Sequence, residues 1–156
     1  MEKSETAFLW IINLLQKYQI PFVITGGLAA KSYGSPRLLN DIDIDIPDDK
    51  FPSIIEELKL YIIFGPERYK DERWDVMLMT LNYYGQEIDI SGGDTLKICD
   101  ARTGRWADCP TDFKNATLNK IFGTAVPVIQ RSDLINYKNM LVGEHQKIDI
   151  RAISGQ

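Results

Sequence analysis

Three features of this 156-residue chain predict an α+β fold, with a central mixed β-sheet flanked by helices. Short apolar runs of strand length alternate with helical, amphipathic stretches. Gly and Pro punctuate the joins between them. Residues 41–46 read Asp-Ile-Asp-Ile-Asp-Ile, a period of two that belongs to a strand with one face in a core. The element order is αβαβαβββ(ββ)αα. The length fits one domain, spanning 1–156, that buries roughly two thirds of its unfolded surface.

Each element has its own signal. From Ser4 to Gln19, apolar residues fall at Phe8, Ile11, Ile12, Leu14 and Leu15, which predicts an amphipathic helix capped by Ser4 and stopped by Pro21. Phe22–Thr25 is a short buried strand ending at Gly26-Gly27. Leu28–Tyr33 is a short helix closed by Gly34, and Ser35-Pro36 is a loop leading to the Asp-Ile strand. Asp48 or Asp49 caps a helix over Phe51–Leu60, with Pro52 tolerated in its first turn. Tyr61–Phe64 is a strand, and the polar stretch from Gly65 to Trp74 is a loop or frayed helix. Asp75–Tyr83 and Gln86–Ser91 are strands around a Tyr84-Gly85 turn. Residues 92–112 carry no clear signal beyond a surface loop at Arg102–Trp106. Ala116–Phe122 and Ala125–Ile129 form a hairpin around Gly123-Thr124. Ser132 caps a helix over Asp133–Val142, and a last helix after Gly143 includes Ile148 and Ile150.

Composition excludes several classes. The net charge is −4 and the pI about 5.0, which argues against a protein held to nucleic acid mainly by phosphate contacts. No stretch is long and apolar enough to span a bilayer, and the polar start Met1–Glu5 is no signal peptide. Two cysteines, Cys99 and Cys109, and one histidine, His145, cannot make an ordinary zinc site. Free thiols in a reducing cytoplasm are the expectation, although a disulfide between them is possible.

The chemistry concentrates at Gly26-Gly27, followed after thirteen residues by Asp41-Ile42-Asp43. Asp41 and Asp43 leave one face of a strand with Cα atoms roughly 6.5 Å apart. Asp is depleted in strands, and like charges on one face repel. Such a strand asks for a cation. An EF-hand loop is excluded, because its sixth position is Ile46 rather than Gly and its twelfth is Pro52 rather than Glu. Asp45, beside Pro47-Asp48-Asp49, is expected to face solvent. A second acidic strand, Glu87-Ile88-Asp89-Ile90, offers a third carboxylate, and Asp89 lies deeper in the apolar run than Glu87. Converging carboxylates beside a glycine turn that can cradle phosphate are the parts of a phosphoryl-transfer site.

These residues resemble the minimal nucleotidyltransferases of the DNA polymerase β-like superfamily. The likeness rests on Phe22–Ala30 with its Gly-Gly, on Gly34 and Pro36-Arg37, on Asn40–Asp43, and on Asp89 within Glu-Ile-Asp-Ile. Val126–Ile129, Asp133–Ile135, Lys138 and Asp149-Ile150 extend it through the C-terminal part. Leu39 departs from the pattern, which often has Ser or Thr there.

The resemblance implies a polymerase β palm-like fold. It implies transfer of a nucleoside monophosphate from a nucleoside triphosphate, such as ATP, to an acceptor, with release of pyrophosphate. Asp41, Asp43 and Asp89 would then be catalytic and hold two Mg2+ ions, with Mn2+ as an alternative, and Asp89 is also a candidate proton acceptor. Gly26 and Gly27 would admit the phosphates and offer N–H groups to them. Arg37 and Lys138 are candidates to neutralise the triphosphate. Arg131, Lys138 and His145 would share one stripe if a single helix ran through Gly143, a stripe that is more often a solvated face.

The acceptor stays open between a small molecule, a protein hydroxyl and an RNA end. Members of this kind are also found beside a toxin–antitoxin partner, so a catalytically silent nucleotide- or partner-binding module is the alternative function. Trp74, Trp106, Tyr83 and Tyr84 are candidates either to stack on a base or to be core and rim residues.

Overall fold

A computed structural model describes residues 2–155. Among them, nine strands form one sheet, and its centre is the Asp-Ile strand β2 (Ile42–Ile46). Isoleucines 42, 44 and 46 are fully buried, as are Ile88 and Ile90 on the neighbouring strand β5 (Gln86–Gly92). Each such side chain contributes roughly 1.5–3 kcal/mol by leaving water. A slip of one residue would bury the aspartates and expose the isoleucines, so the register is strongly fixed.

Helix α1 (Lys3–Lys17) covers the apolar face with Ala7, Phe8, Ile11, Ile12, Leu14 and Leu15, all in the same core as those isoleucines. Its start lies one residue earlier than expected, and Ser4 sits inside the helix rather than capping it. Strand β1 (Val23–Thr25) runs antiparallel to β2, with Thr25 opposite Asp43. β5 runs parallel to β2 on the other side, with Asp89 opposite Asp43. The two acidic strands are therefore neighbours. Helix α2 begins at the glycines themselves (Gly26–Ser32).

Several expectations are corrected. The helix expected over residues 51–60 is a 3-10 turn (Asp48–Ser53) and one helical turn, α3 (Ile55–Leu58). No side-chain cap starts the 3-10 turn, because the Asp48 carboxylate instead accepts the Asp94 N–H at 3.0 Å. The supposed loop after residue 65 is mostly strand: β3 (Ile62–Lys70) pairs antiparallel with β4 (Trp74–Tyr83). The strand expected at Tyr61–Phe64 is the start of β3, and the polar pattern after Phe64 hid the rest. It is an edge strand wet on both faces, fastened by Arg68, which donates to Asp75 at 2.7 Å. Asp71 closes the hairpin by accepting the N–H groups of Arg73 and Trp74.

Residues 92–112 contain two short strands, β6 (Lys97–Cys99) and β7 (Trp106–Asp108). The later hairpin forms as β8 (Thr117–Ile121) and β9 (Thr124–Val128), and β9 joins β1 in parallel. Helices α4 (Arg131–Met140) and α5 (Glu144–Ser154) follow, and neither has a side-chain cap. A small second core of Val76, Leu96, Ile98 and Met140 ties the end of α4 to β4 and β6. Both cysteines are free. No helix among the described residues is long and apolar enough to cross a membrane.

Candidate active site

The odd-numbered face of β2 opens onto a cleft of about 610 Å³, lined by Asp41, Asp43 and Asp45 on the sheet side. Tyr137, Lys138 and His145 line the helical side, and Asp108, Thr111 and Asp112 form a third wall. Sheet register sets the acids: β2 and β5 pair in parallel, so Asp43 and Asp89 sit side by side. Carboxylate oxygens of Asp41, Glu87 and Asp89 approach within 4.8 Å of one another. Glu87, passed over in favour of Asp89 on sequence grounds, therefore belongs to the same cluster. Burial, then the charges of Asp41 and Asp89, raise its carboxyl.

The electrostatics are those of unpaired like charges. Burial, then the charges of Asp89, Asp41 and Asp45, push the Asp43 carboxyl up to about 8. Burial raises Asp89 as well, against the hydrogen bond it accepts from the Thr80 hydroxyl at 2.7 Å. Asp45 corrects an expectation. It is buried rather than solvated and accepts a hydrogen bond from Thr111 at 2.7 Å. Burial lifts it to about 7.

The glycine turn has a geometric reason for both residues. Gly26 has φ +60, and a Cβ there would collide with the Asp43 carboxylate. A Cβ at Gly27 would lie 3.1 Å from the Arg37 guanidinium. The pair thus lets an acid and a cation press against one turn. The Gly26 N–H is not open for phosphate, however: it donates to the Tyr137 hydroxyl at 2.8 Å. The role of Tyr137 was not legible, because it joins residues 111 apart in sequence.

Arg37 and Lys138 both line the cleft, and both hold Asp149 of α5. The Lys138 side chain is only 3% exposed, which corrects the solvated stripe. The helix ends at Met140, so His145 begins a new helix and shares no stripe with Lys138. Of the aromatic candidates, Trp74 lines the cleft. Tyr83 stacks on Trp10 with ring centroids 4.0 Å apart and is packing; Tyr84 and Trp106 are exposed.

Carboxylates on two adjacent strands, gathered beside a glycine turn that opens a helix, define the nucleotidyltransferase class. Comparison with known proteins agrees. The aminoglycoside-2''-adenylyltransferase family model matches residues 7–152, and the chain belongs to that family. It is therefore an enzyme of the nucleotidyltransferase class. Among solved structures it is similar to the lincosamide antibiotic adenylyltransferase LnuA with lincomycin bound. The TM-score is 0.64 at 14% identity, over 99% of this chain and 97% of that one. It is equally similar to ANT(2'')-Ia in complex with adenylyl-2''-tobramycin, with TM-score 0.64 and 14% identity over 99% and 89% of the two chains. A Thermotoga maritima protein provisionally described as a nucleotidyltransferase gives TM-score 0.61 at 20% identity, over 83% and 80%. At these identities the structural likeness concerns the fold. No curated protein matches the chain.

Proposed function

We propose that this enzyme transfers AMP from ATP to a hydroxyl of an amine-bearing small molecule of the aminoglycoside type and releases pyrophosphate. The observation that carries the reading is the meeting of Asp41, Asp43 and Asp89 on paired strands beside the Gly26-Gly27 turn. The site fits hard divalent cations: its donors are all carboxylate oxygens, and burial, then their mutual repulsion, lifts Asp43 to about 8. Asp41, Asp43 and Asp89 would hold the ions, with Glu87 beside them. Bound Mg2+, or Mn2+ in its place, would neutralise triphosphate charge and lower the pKa of the acceptor hydroxyl.

The remaining roles belong to the chain's own groups. Arg37 and Lys138 carry positive charge on the opposite side of the turn and suit the triphosphate. Asp89, raised by burial and steadied by Thr80, would take the proton of the acceptor hydroxyl. Trp74 offers a flat apolar surface within the cleft to the base or the acceptor.

The charge of the cleft supports a cationic acceptor. Asp41, Asp43, Asp45, Asp108, Asp112 and Asp133 line it, against Arg37 and Lys138. With Asp41 and Asp43 given to metal, Asp45, Asp108, Asp112 and Asp133 remain along the cleft. Such a surplus attracts ammonium groups.

The test is pyrophosphate release and mass-shifted product from ATP, with and without Mg2+, using tobramycin and lincomycin as acceptors. The reading expects Mg2+-dependent adenylylation, stronger on the polycationic aminoglycoside than on lincomycin. Absence of adenylylated product with every amine-bearing acceptor at saturating ATP and Mg2+ would sink it.

A further inference from the structure

We propose that Asp149 is a positioning residue for triphosphate binding: from the last helix it sets the Arg37 guanidinium and the Lys138 ammonium together at the glycine turn. The inference rests on the transferase reading above.

Asp149 is fully buried. Its carboxylate accepts the Arg37 Nε–H at 3.1 Å and the Arg37 Nη2–H at 2.7 Å. It also accepts the Ser35 hydroxyl at 2.6 Å and pairs with the Lys138 ammonium at 3.0 Å. Three segments meet on one side chain: the loop before β2, α4 and α5.

A structural ion pair needs one cation for one carboxylate. Here two cations share one carboxylate, so one positive charge is left over to face Asp43, whose charge both Arg37 and Lys138 feel. The excess points the right way. Arg37 packs against Gly27, and Lys138 lies close enough to Asp43 for each to feel the other's charge. Donor capacity also remains. Lys138 has three ammonium protons, of which Asp149 and the Gln146 Oε1 at 2.9 Å take two. Arg37 has five N–H groups, of which Asp149 takes two. The bidentate grip fixes the guanidinium plane, so the donors that remain face one direction.

Without the carboxylate, two like charges would stand beside each other in a buried place, and Lys138 would be driven to lose its proton. Burial already lowers Lys138, and Asp149 opposes that. Removing Asp149 therefore costs triphosphate affinity through the two cations assigned above to the triphosphate, while leaving the acceptor wall untouched.

The experiment uses the full chain and measures α,β-methylene-ATP binding by calorimetry with Mg2+, together with steady-state kinetics. Asp149→Asn is expected to weaken the analogue and raise the KM for ATP about tenfold or more, with the acceptor KM unchanged and kcat within about threefold. Asp149→Glu keeps the charge but adds a methylene, and is expected to raise the KM for ATP about threefold. If Asp149→Asn does not fold, Asp149→Glu decides. A folded variant with wild-type affinity for the analogue overturns the proposal, and so does an equal loss of ATP and acceptor affinity. If the wild-type protein transfers AMP and either of these results holds, only the positioning role fails. If the wild-type protein binds no triphosphate, the transferase reading falls and this role with it.

Discussion

On the sheet side of the cleft, the Asp43 carboxyl is pushed up to about 8; on the helical side, the Asp149 carboxyl is held at about 2. Burial acts on both in the same direction. At Asp43 it is joined by the charges of Asp89, Asp41 and Asp45. At Asp149 it is overcome by hydrogen bonds from Arg37, Ser35 and Lys138. One residue type thus occupies two opposite electrical states within one site. The sheet side collects negative charge that Lys138 offsets only in small part, and the helical side collects positive charge in excess of its carboxylate. A magnesium–triphosphate complex presents the complement of both, which is why the difference reads as a binding site rather than as two accidents of packing.

The strongest way to break this comparison is Asp43→Ala. Transfer is expected to fall by about 10²–10³-fold in kcat/KM if Asp43, pressed against the Gly26 turn, is the metal ligand proposed above. The same substitution should raise the melting temperature of the metal-free protein, since it removes a buried carboxyl that its neighbours repel. A lower metal-free melting temperature would mean the acids are not clustered as described.

The sheet side also predicts a pH dependence. Asp43 has a folded-state pKa raised from 3.8 to about 8. The folded protein therefore binds more protons than the unfolded chain between those values, and stability falls as pH rises through that window. The contribution is fully present below about 4 and lost above about 8. Asp45, raised to about 7, acts in the same direction. Melting curves of the metal-free protein from pH 4 to 8 should show the decline, Asp43→Asn should flatten its upper part, and added Mg2+ should restore stability at high pH. A metal-free melting temperature that rises steadily from pH 5 to 8 would contradict the burial and repulsion assigned here.

Glu87→Gln sharpens the same side with a smaller effect. Glu87 adjoins Asp41 and Asp89 but lies one strand position pair farther from the turn than Asp89. Its loss should raise the Mg2+ concentration needed for half-maximal activity roughly tenfold, with kcat at saturating Mg2+ little changed. An unchanged Mg2+ requirement would remove Glu87 from the metal-binding set.

How much of this was legible in the sequence differs between the two sides. The sheet side was legible because period two fixes which face each side chain leaves: Asp43 pairs across from Asp89, and Asp41 gathers with Asp89 and Glu87. Its errors came from depth and register, which periodicity does not encode. Asp45 shares the face of Asp43 but lies under Thr111, and Glu87 shares the face of Asp89. The helical side was legible only as a pair of candidate cations. Arg37 and Asp149 are 112 residues apart, and no local pattern links them. The continuous stripe from Arg131 to His145 failed because the chain leaves the helix after Met140. The second part of β3, residues 65–70, was missed because a solvated edge strand has no apolar face there to betray it.

The smallest effect tests whether the chemistry is shared between the two sides. His145 lines the cleft at the start of α5, and its Nε2 lies 3.2 Å from the Gln146 side-chain amide. It is the single imidazole in the chain and an obvious proposal for a base. On the present reading the proton goes to the sheet side, where Asp89 is held by Thr80 next to Asp43. His145→Ala should then leave kcat/KM within about threefold across pH 6–9, whereas removal of a working general base costs about 10²–10⁴-fold. A loss in that larger range would move proton transfer to the helical wall, and the division of labour between an acid floor and a cationic wall would no longer hold.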